Sequence, residues 1–145
     1  MKHFKNFKTC VYCTAQTLAS LDETTLARDY AYLEKYVGID KVYLETYRDG
    51  TWVSIDHMKM IQNFFKKHGV EIAGGITTVT PPLEKDDVKR QRLFQTFCYS
   101  NEAMRTYLKK IVTYTAELFD EIILDDFFFT SCTCLLYTSD AADEL

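Results

Sequence analysis

Four apolar segments alternate with helical patterns along the chain, and this alternation restricts the fold more than any other feature of the sequence. The segments span residues 9–14, 41–47, 70–77 and 121–129 and are rich in β-branched and aromatic residues. Strands that are apolar on both faces are typical of a parallel sheet covered by helices. The pattern therefore predicts a parallel α/β fold in the order βαβαβαβ.

Three helices are predicted between these strands, each with one apolar face. Ser20 and Glu23 are predicted to form a capping box before the first helix, and Ser54 to cap the second. Gly38 and Gly69 are predicted to end these two helices. The predicted buried faces are Leu26, Tyr30, Leu33 and Val37, then Met58, Ile61 and Phe65, then Met104, Leu108, Ile111, Thr115 and Leu118.

The strand spacing suits one βα unit per step, because Val11, Val42 and Ile72 follow one another at 31 and 30 residues. An insertion over 79–100 delays the fourth strand, and in barrels such βα loops build the active-site face. A chain of 145 residues is too short for an eight-stranded barrel of about 250 residues. We predict the first four strands of a truncated TIM-type barrel over residues 1–133, although the alternation alone also fits an open doubly wound sheet.

The amino-acid sequence of the last twelve residues indicates that they differ in origin from the rest of the chain. From Cys134 to Glu144 the chain reads CLLYTSDAADE, which resembles a translated sequencing adapter residue for residue. A translated adapter carries no information about the native fold. Residues 134–145 are therefore predicted to be a non-native, disordered tail.

The charge and hydropathy pattern argues against two classes of partner. The net charge of −4 gives no electrostatic footprint for nucleic acid. No apolar run approaches the roughly 20 residues that span a bilayer, so no membrane partner is expected. The basic start over residues 1–8 is too polar for a signal peptide, and a cytoplasmic or an exported parent protein both stay open.

No cofactor and no metal is predicted. The pair Gly74-Gly75 lacks the lysine and the glycine spacing of a phosphate loop. Cys10 and Cys13 have C-x-x-C spacing, but inside a strand their sulfurs point to opposite faces. The histidines have no ligand-like spacing. Cys132 follows the fourth strand, and whether it begins a metal-binding or disulfide loop stays open.

Polar residues gather where the predicted strands end. The carboxyl ends of parallel strands share one edge of the sheet, and ligands of α/β enzymes bind there. The fourth strand brings Asp125 and Asp126 to this edge, and at most one of the two points into a barrel mouth. We expect one of them to be a catalytic or substrate-anchoring acid, with Asp126 nearer the mouth. Alternatively, both fix a loop or cap a helix.

Substrate binding is predicted for a second group of residues at the ends of strands two and three. These are Glu45, Tyr47, Arg48, Trp52 and Thr77. Glu45 and Arg48 either bind a sugar or simply pair with each other. Tyr47 and Trp52 offer flat apolar platforms for sugar rings, and Trp52 fits ordinary core packing equally well. Tyr12, in the first strand, is a further candidate platform, although core packing is the favoured interpretation for it.

Three stretches of sequence point to a family. They read VYLETYRDG at 42–50, AGGITT at 73–78 and ILDDFFFT at 123–130, with Cys132 behind the last. Over about residues 8–133 the chain resembles the N-terminal half of uncharacterised bacterial glycoside hydrolase-like (β/α)8 barrels.

This resemblance implies hydrolysis of glycosidic bonds by two carboxylates, one an acid/base and the other a nucleophile or base. In similar barrels an acid at the end of strand four precedes a Cys-rich loop, which maps onto Asp125 or Asp126 and Cys132. The second carboxylate often comes from a later strand.

We therefore expect a fragment of a carbohydrate-active hydrolase that is inactive alone, with carbohydrate as the partner of its parent. Two alternatives stay open: another TIM-barrel enzyme, such as an aldolase or isomerase acting on sugar phosphates, and a non-catalytic glycan-binding module. Unpaired strand edges are also expected to make the fragment self-associate.

Overall fold

The computed structural model of the chain describes residues 4–79, 95–125 and 132–134. Its elements follow one another as β1 (Cys10–Cys13), α1 (Ala15–Ser20), α2 (Glu23–Tyr36), β2 (Lys41–Glu45), β3 (Tyr47–Arg48), β4 (Thr51–Trp52), α3 (Ile55–Lys67), β5 (Glu71–Thr77), α4 (Glu102–Ala116) and β6 (Ile122–Asp125).

Four of these strands form one parallel sheet in the order β1-β2-β5-β6. The strands lie side by side in the order in which the chain reaches them, and each crossover carries a helix. The prediction of a parallel α/β fold is confirmed for the described residues. Residues 126–129, which were predicted to extend the fourth strand, lie outside the described residues, as do residues 135–145 of the predicted tail.

The second predicted strand is shorter than its apolar run. It ends at Glu45, and Tyr47–Arg48 instead pairs antiparallel with Thr51–Trp52 in a small hairpin. The sequence Asp49-Gly50 makes the two-residue turn, with φ of 52° and 79°. Both values lie in the left-handed region that such a turn requires. The hairpin is thus the loop that follows β2 at the carboxyl edge of the sheet.

The two glycines of β5 show which way the sheet faces. A methyl group on Gly74 would lie 2.7 Å from Phe119 Cδ2 and 2.8 Å from Thr115 Cγ2, so Gly74 faces helix α4. A methyl group on Gly75 would lie 2.9 Å from the Tyr12 ring, so Gly75 belongs to the other face.

We call this second side the open face. It is defined at the carboxyl edge by Tyr12, Glu45, Gly75, Thr77 and Asp125, as the strand registers and the alternation of side chains require.

The helices bury their predicted faces against the opposite side of the sheet. Met58, Ile61 and Phe65 of α3 pack with the strand residues Val42 and Leu44. Each buried side chain of this size contributes about 1.5–3 kcal/mol. Helix α4 buries Met104, Leu108, Ile111 and Thr115 as predicted, and Leu118 is half-buried. In α2 only Leu26 is fully buried, with Tyr30 and Leu33 half-buried.

Two predictions about α2 are wrong in detail. Val37 is 40% exposed, because it is the C-cap residue, where the chain leaves the helix. The capping box is formed by Asp22 and Thr25 and not by Ser20 and Glu23. Ser20 instead ends an additional short helix, α1, and donates a hydrogen bond to the Thr17 carbonyl (2.7 Å).

The other helix boundaries agree with the sequence. Ser54 caps α3 by accepting a hydrogen bond from the His57 amide. Gly38 and Gly69 follow α2 and α3 with φ of 74° and 72°, the left-handed geometry that favours glycine after a helix. The described helices are all too short or too polar to cross a lipid bilayer.

We expect β6, one of the two edge strands of the sheet, to drive self-association. Ile123 and Leu124 are 37% and 46% exposed on opposite faces of this strand. Replacing both with lysine should shift the chain towards monomer in size-exclusion chromatography with light scattering, because charge on an edge strand opposes strand pairing.

A matched control replaces Val37 and Ile55 with lysine, since these side chains are 40% and 44% exposed but lie at the end of α2 and the start of α3. An equal shift towards monomer in the control would mean that β6 is not the site of association.

Candidate functional site

The carboxylate of Glu45 organises the carboxyl edge of the sheet. Its side chain is fully buried at the end of β2, and both of its oxygens accept hydrogen bonds. Oε1 accepts from the Tyr12 hydroxyl (2.8 Å) and from Arg48 Nη2 (2.8 Å). Oε2 accepts from the Ala15 amide (2.8 Å) and from Arg48 Nε (2.9 Å). Three separate segments therefore meet on one carboxylate.

The sequence places these partners for local reasons. Thr14 is the N-cap of α1, so Ala15 is the first helical residue and its amide has no acceptor within the helix. A negative charge at this helix terminus is favourable for the same reason. Arg48 returns to Glu45 because the tight hairpin folds back on β2. Gln16 then holds the hairpin by donating to the Arg48 carbonyl (3.3 Å) and the Asp49 carboxylate (3.2 Å).

The electrostatics of this cluster favour a charged Arg48 and a neutral Tyr12. The hydrogen bond from Arg48 to Glu45 raises the pKa of the guanidinium group. Burial, and then the neighbouring charge of Glu45, raises the pKa of the Tyr12 hydroxyl well above its usual range. The Tyr12 hydroxyl therefore stays protonated and donates a hydrogen bond to Glu45. Removal of one partner from such a buried pair is costly, about 3–5 kcal/mol.

An aromatic cluster supports the hairpin from the helix side. Its members are Tyr47, Trp52, Tyr107 and Tyr114, with Trp52 in ring contact with the other three at centroid distances of 4.9, 6.1 and 5.3 Å. The Trp52 indole donates to the Tyr107 hydroxyl (3.2 Å), and Tyr114 donates to the Val53 carbonyl (2.5 Å). Tyr47 is 1% exposed and Trp52 is half-buried, so the surroundings of both rings are mostly protein.

Asp125 lies beside Thr77 on the open face. The two residues are register partners of β5 and β6, and Thr77 is 1% exposed while Asp125 is half-buried. Asp125 is close enough to Tyr12 for its charge to add to the rise in the pKa of that hydroxyl, although it is the smallest of the causes. Glu45, Tyr12 and Asp125 thus belong to one edge of one face. Asp126 lies outside the described residues.

Comparison with known proteins identifies the family. A sequence profile described as "Probable glycosyl hydrolase, catalytic domain" matches residues 1–144. The chain belongs to this family of probable glycosyl hydrolase catalytic domains.

A longer protein is also similar to the chain. An uncharacterised protein of Saccharolobus solfataricus is 35% identical over 130 residues, which make up 88% of this chain and 21% of the relative. The chain thus spans about a fifth of the length of that protein. No solved structure matches the chain significantly.

The predicted site residues that the structure describes separate into three groups. Glu45 and Arg48 form the ion pair that was one of the two interpretations of their sequence. The carboxylate of Glu45 is fully covered, whereas the Arg48 side chain keeps 24% of its surface exposed. Tyr47 and Trp52 lie in the aromatic cluster. Thr77 and Asp125 share the open face, where Asp125 is half-buried.

Two features of this edge were not predicted from the sequence. Core packing was the favoured prediction for Tyr12, but its hydroxyl donates a hydrogen bond to Glu45. Cys98 was not selected at all, yet its sulfur lies with those of Cys132 and Cys134 in one group. The contact of Tyr12 with Glu45 agrees with the alternation of side chains along β1 and β2. Tyr12 is the register partner of Tyr43, and Glu45, two residues later, lies on the same face as Tyr43. The spacing of Cys98, Cys132 and Cys134 in the sequence matches no known metal-binding motif and did not indicate that they lie together.

We expect Glu45→Ala to accelerate hydrogen exchange of the Ala15 amide by about 10- to 100-fold, because a hydrogen bond to a charged acceptor contributes about 1.5–3 kcal/mol. Glu45→Gln should have a smaller effect, since one side-chain oxygen remains. Exchange is measured by mass spectrometry on peptides that cover β1 and α1, with peptides from α4 reporting global unfolding.

The matched control is Asp56→Asn, an exposed acid in the first turn of α3. Unchanged exchange at Ala15 in Glu45→Ala, or equal acceleration in the control, would contradict the role given to Glu45.

Proposed function

We propose that this chain supplies the first four strands of a TIM-type (β/α)8 barrel that cleaves glycosidic bonds. Two features of the fold support a barrel. The parallel strands follow chain order without a reversal, and α2, α3 and α4 pack against the same face of the sheet. A doubly wound sheet reverses its strand order and carries helices on both faces. In a closed barrel the open face becomes the interior.

The match to a glycosyl hydrolase catalytic domain is the observation that carries the proposed chemistry. Most glycoside hydrolases use two carboxyl groups that flank the scissile bond. One protonates the leaving oxygen, and the other attacks the anomeric carbon or activates a water. We assign one carboxyl group of this pair to the end of β6. We assign the other to a later part of the longer protein. On this proposal, the present chain alone is inactive.

Of the two predicted acids, we favour Asp125. It is the register partner of Thr77 and lies on the face that also holds Tyr12 and Glu45, which is the interior of the proposed barrel. At most one of the two neighbouring acids can face this interior, because successive side chains of a strand point to opposite faces. Asp126 remains the second candidate, and variants of the two acids distinguish them.

The remaining residues have supporting roles in this proposal. Glu45 fixes the guanidinium group of Arg48, whose exposed part can donate to sugar hydroxyls with little loss of side-chain entropy on binding. Thr77 lines the same edge next to Asp125. Tyr47 and Trp52 hold the hairpin in place, and the exposed part of Trp52 is a further surface for a sugar ring.

The proposal is tested in the full-length protein that contains this segment, with aryl glycosides and natural oligosaccharides as substrates. We expect Asp125→Asn to lower kcat by about 10²- to 10⁴-fold with a smaller effect on KM, the range for loss of a general acid or base. The pH profile of kcat/KM should lose one of its two limbs.

Asp120→Asn is the matched control, because Asp120 is an exposed acid just before β6. If Asp126→Asn abolishes turnover while Asp125→Asn does not, Asp126 is the catalytic acid. Sugar binding without turnover in the unmodified full-length protein would favour a glycan-binding module and overturn the enzymatic proposal.

A further inference from the structure

Three cysteine side chains from two neighbouring loops meet at the carboxyl edge of the sheet. Cys98 follows Phe97, whose amide donates to the Thr78 carbonyl just beyond β5 (2.9 Å). Cys132 and Cys134 follow β6, the next strand in the sheet. The group therefore connects the loop before α4 with the segment after the strand that carries Asp125.

The geometry of this group suits a shared metal ion. All three sulfurs lie within 4.8 Å of one another, and those of Cys98 and Cys134 are 3.6 Å apart. A tetrahedral zinc ion with bonds of about 2.3 Å holds its sulfurs about 3.8 Å apart. Only small movements of the side chains would bring three sulfurs onto one ion. No disulfide joins any of these cysteines.

The surroundings of the group are those of a closed structural site. Cys98, Cys132 and Cys134 are 6%, 5% and 9% exposed and pack in the same apolar cluster as Ile76 and Met104. The Cys98 amide donates to the Met104 sulfur (3.2 Å), which fixes the backbone of the first cysteine. Among the described residues, this is the one group of three or more metal-ligating side chains that are close enough to share an ion.

We propose that Cys98, Cys132 and Cys134 form a thiolate site for Zn²⁺ that joins the two loops. Sulfur ligands select soft or borderline ions, and zinc with three or four cysteines is the common structural case. Binding forms three Zn–S bonds and releases three thiol protons to solvent, with no change of oxidation state. A fourth ligand completes the tetrahedron from solvent or from another part of the protein.

Cys134 is the first residue of the string that resembles a translated adapter, so the proposed site belongs to the 145-residue chain that contains Cys134. Cys98 and Cys132 lie outside that string, and they are the two ligands that connect different loops. The site is independent of the proposed hydrolysis, because no cysteine takes part in the carboxylate chemistry. Its expected effect is to hold the ends of β5 and β6 in register at the edge where Asp125 lies.

The test uses the 145-residue chain, purified under reducing conditions with zinc supplied during expression. We expect close to one zinc per chain by inductively coupled plasma mass spectrometry, and release of that zinc by a thiol-blocking mercurial. Substitution with Co²⁺ should give the sulfur-to-metal charge-transfer band and the intense visible bands of a tetrahedral thiolate site. Zinc near zero in the unmodified chain, with no cobalt spectrum, would overturn the proposal.

Variants assign the ligands. Cys98→Ser and Cys132→Ser should each lower the zinc content at least several-fold, and Cys134→His, which keeps a ligand, should retain more zinc than Cys134→Ala. Cys10→Ser and Cys13→Ser are matched controls in β1 and should leave the zinc content unchanged. Far-UV circular dichroism of each variant separates loss of a ligand from loss of the fold.

Two further results would count against the site. One is zinc content that falls equally in the β1 controls. The other is a Cys98–Cys134 disulfide, seen by mass spectrometry without reduction, in a chain that binds no metal after the disulfide is reduced.

Discussion

The buried carboxylate of Glu45 is the interaction on which the carboxyl edge of this protein depends. A charge without access to water is tolerated only when every lone pair has a partner. Here the partners are the Tyr12 hydroxyl, the Ala15 amide and the Arg48 guanidinium group. They belong to β1, to the start of α1 and to the hairpin after β2. One carboxylate therefore fixes the relative positions of the first two βα units where a ligand site is expected.

Much of the fold could be predicted because it is encoded in local patterns. The apolar runs located the four strands of the sheet, and Ser54, Gly38 and Gly69 marked helix boundaries, since capping needs only neighbouring residues. Helix α1 was missed because its six residues are too few to show a helical period. The hairpin of Tyr47–Arg48 with Thr51–Trp52 was read as the continuation of a strand, because its first residues are as β-prone as those of β2.

The candidate site was less predictable because it depends on distant contacts. From the sequence, Glu45 and Arg48 fitted either an ion pair or sugar binding. The sequence did not decide between them, because Glu45 is buried by Tyr12 and α1, which lie about 30 residues earlier. Cys98 was overlooked for a similar reason, because it lies 34 residues from Cys132 and acquires its neighbours only when β5 and β6 pair. The pairing of β5 with β6 assigns Asp125 to the open face. The sequence shows two adjacent acids but does not show which of them lies on that face.

The central claim is that the open face is the interior of a closed barrel with Asp125 at its mouth. An experimental structure of the full-length protein with a bound oligosaccharide tests it most directly. The account predicts that later strands pair with both β1 and β6, and that Asp125 faces a second carboxyl group across the glycosidic bond. A separation of about 5–5.5 Å would indicate a retaining enzyme and about 6.5–9.5 Å an inverting one. An open sheet, or a sugar bound away from the ends of β2, β5 and β6, would contradict the account.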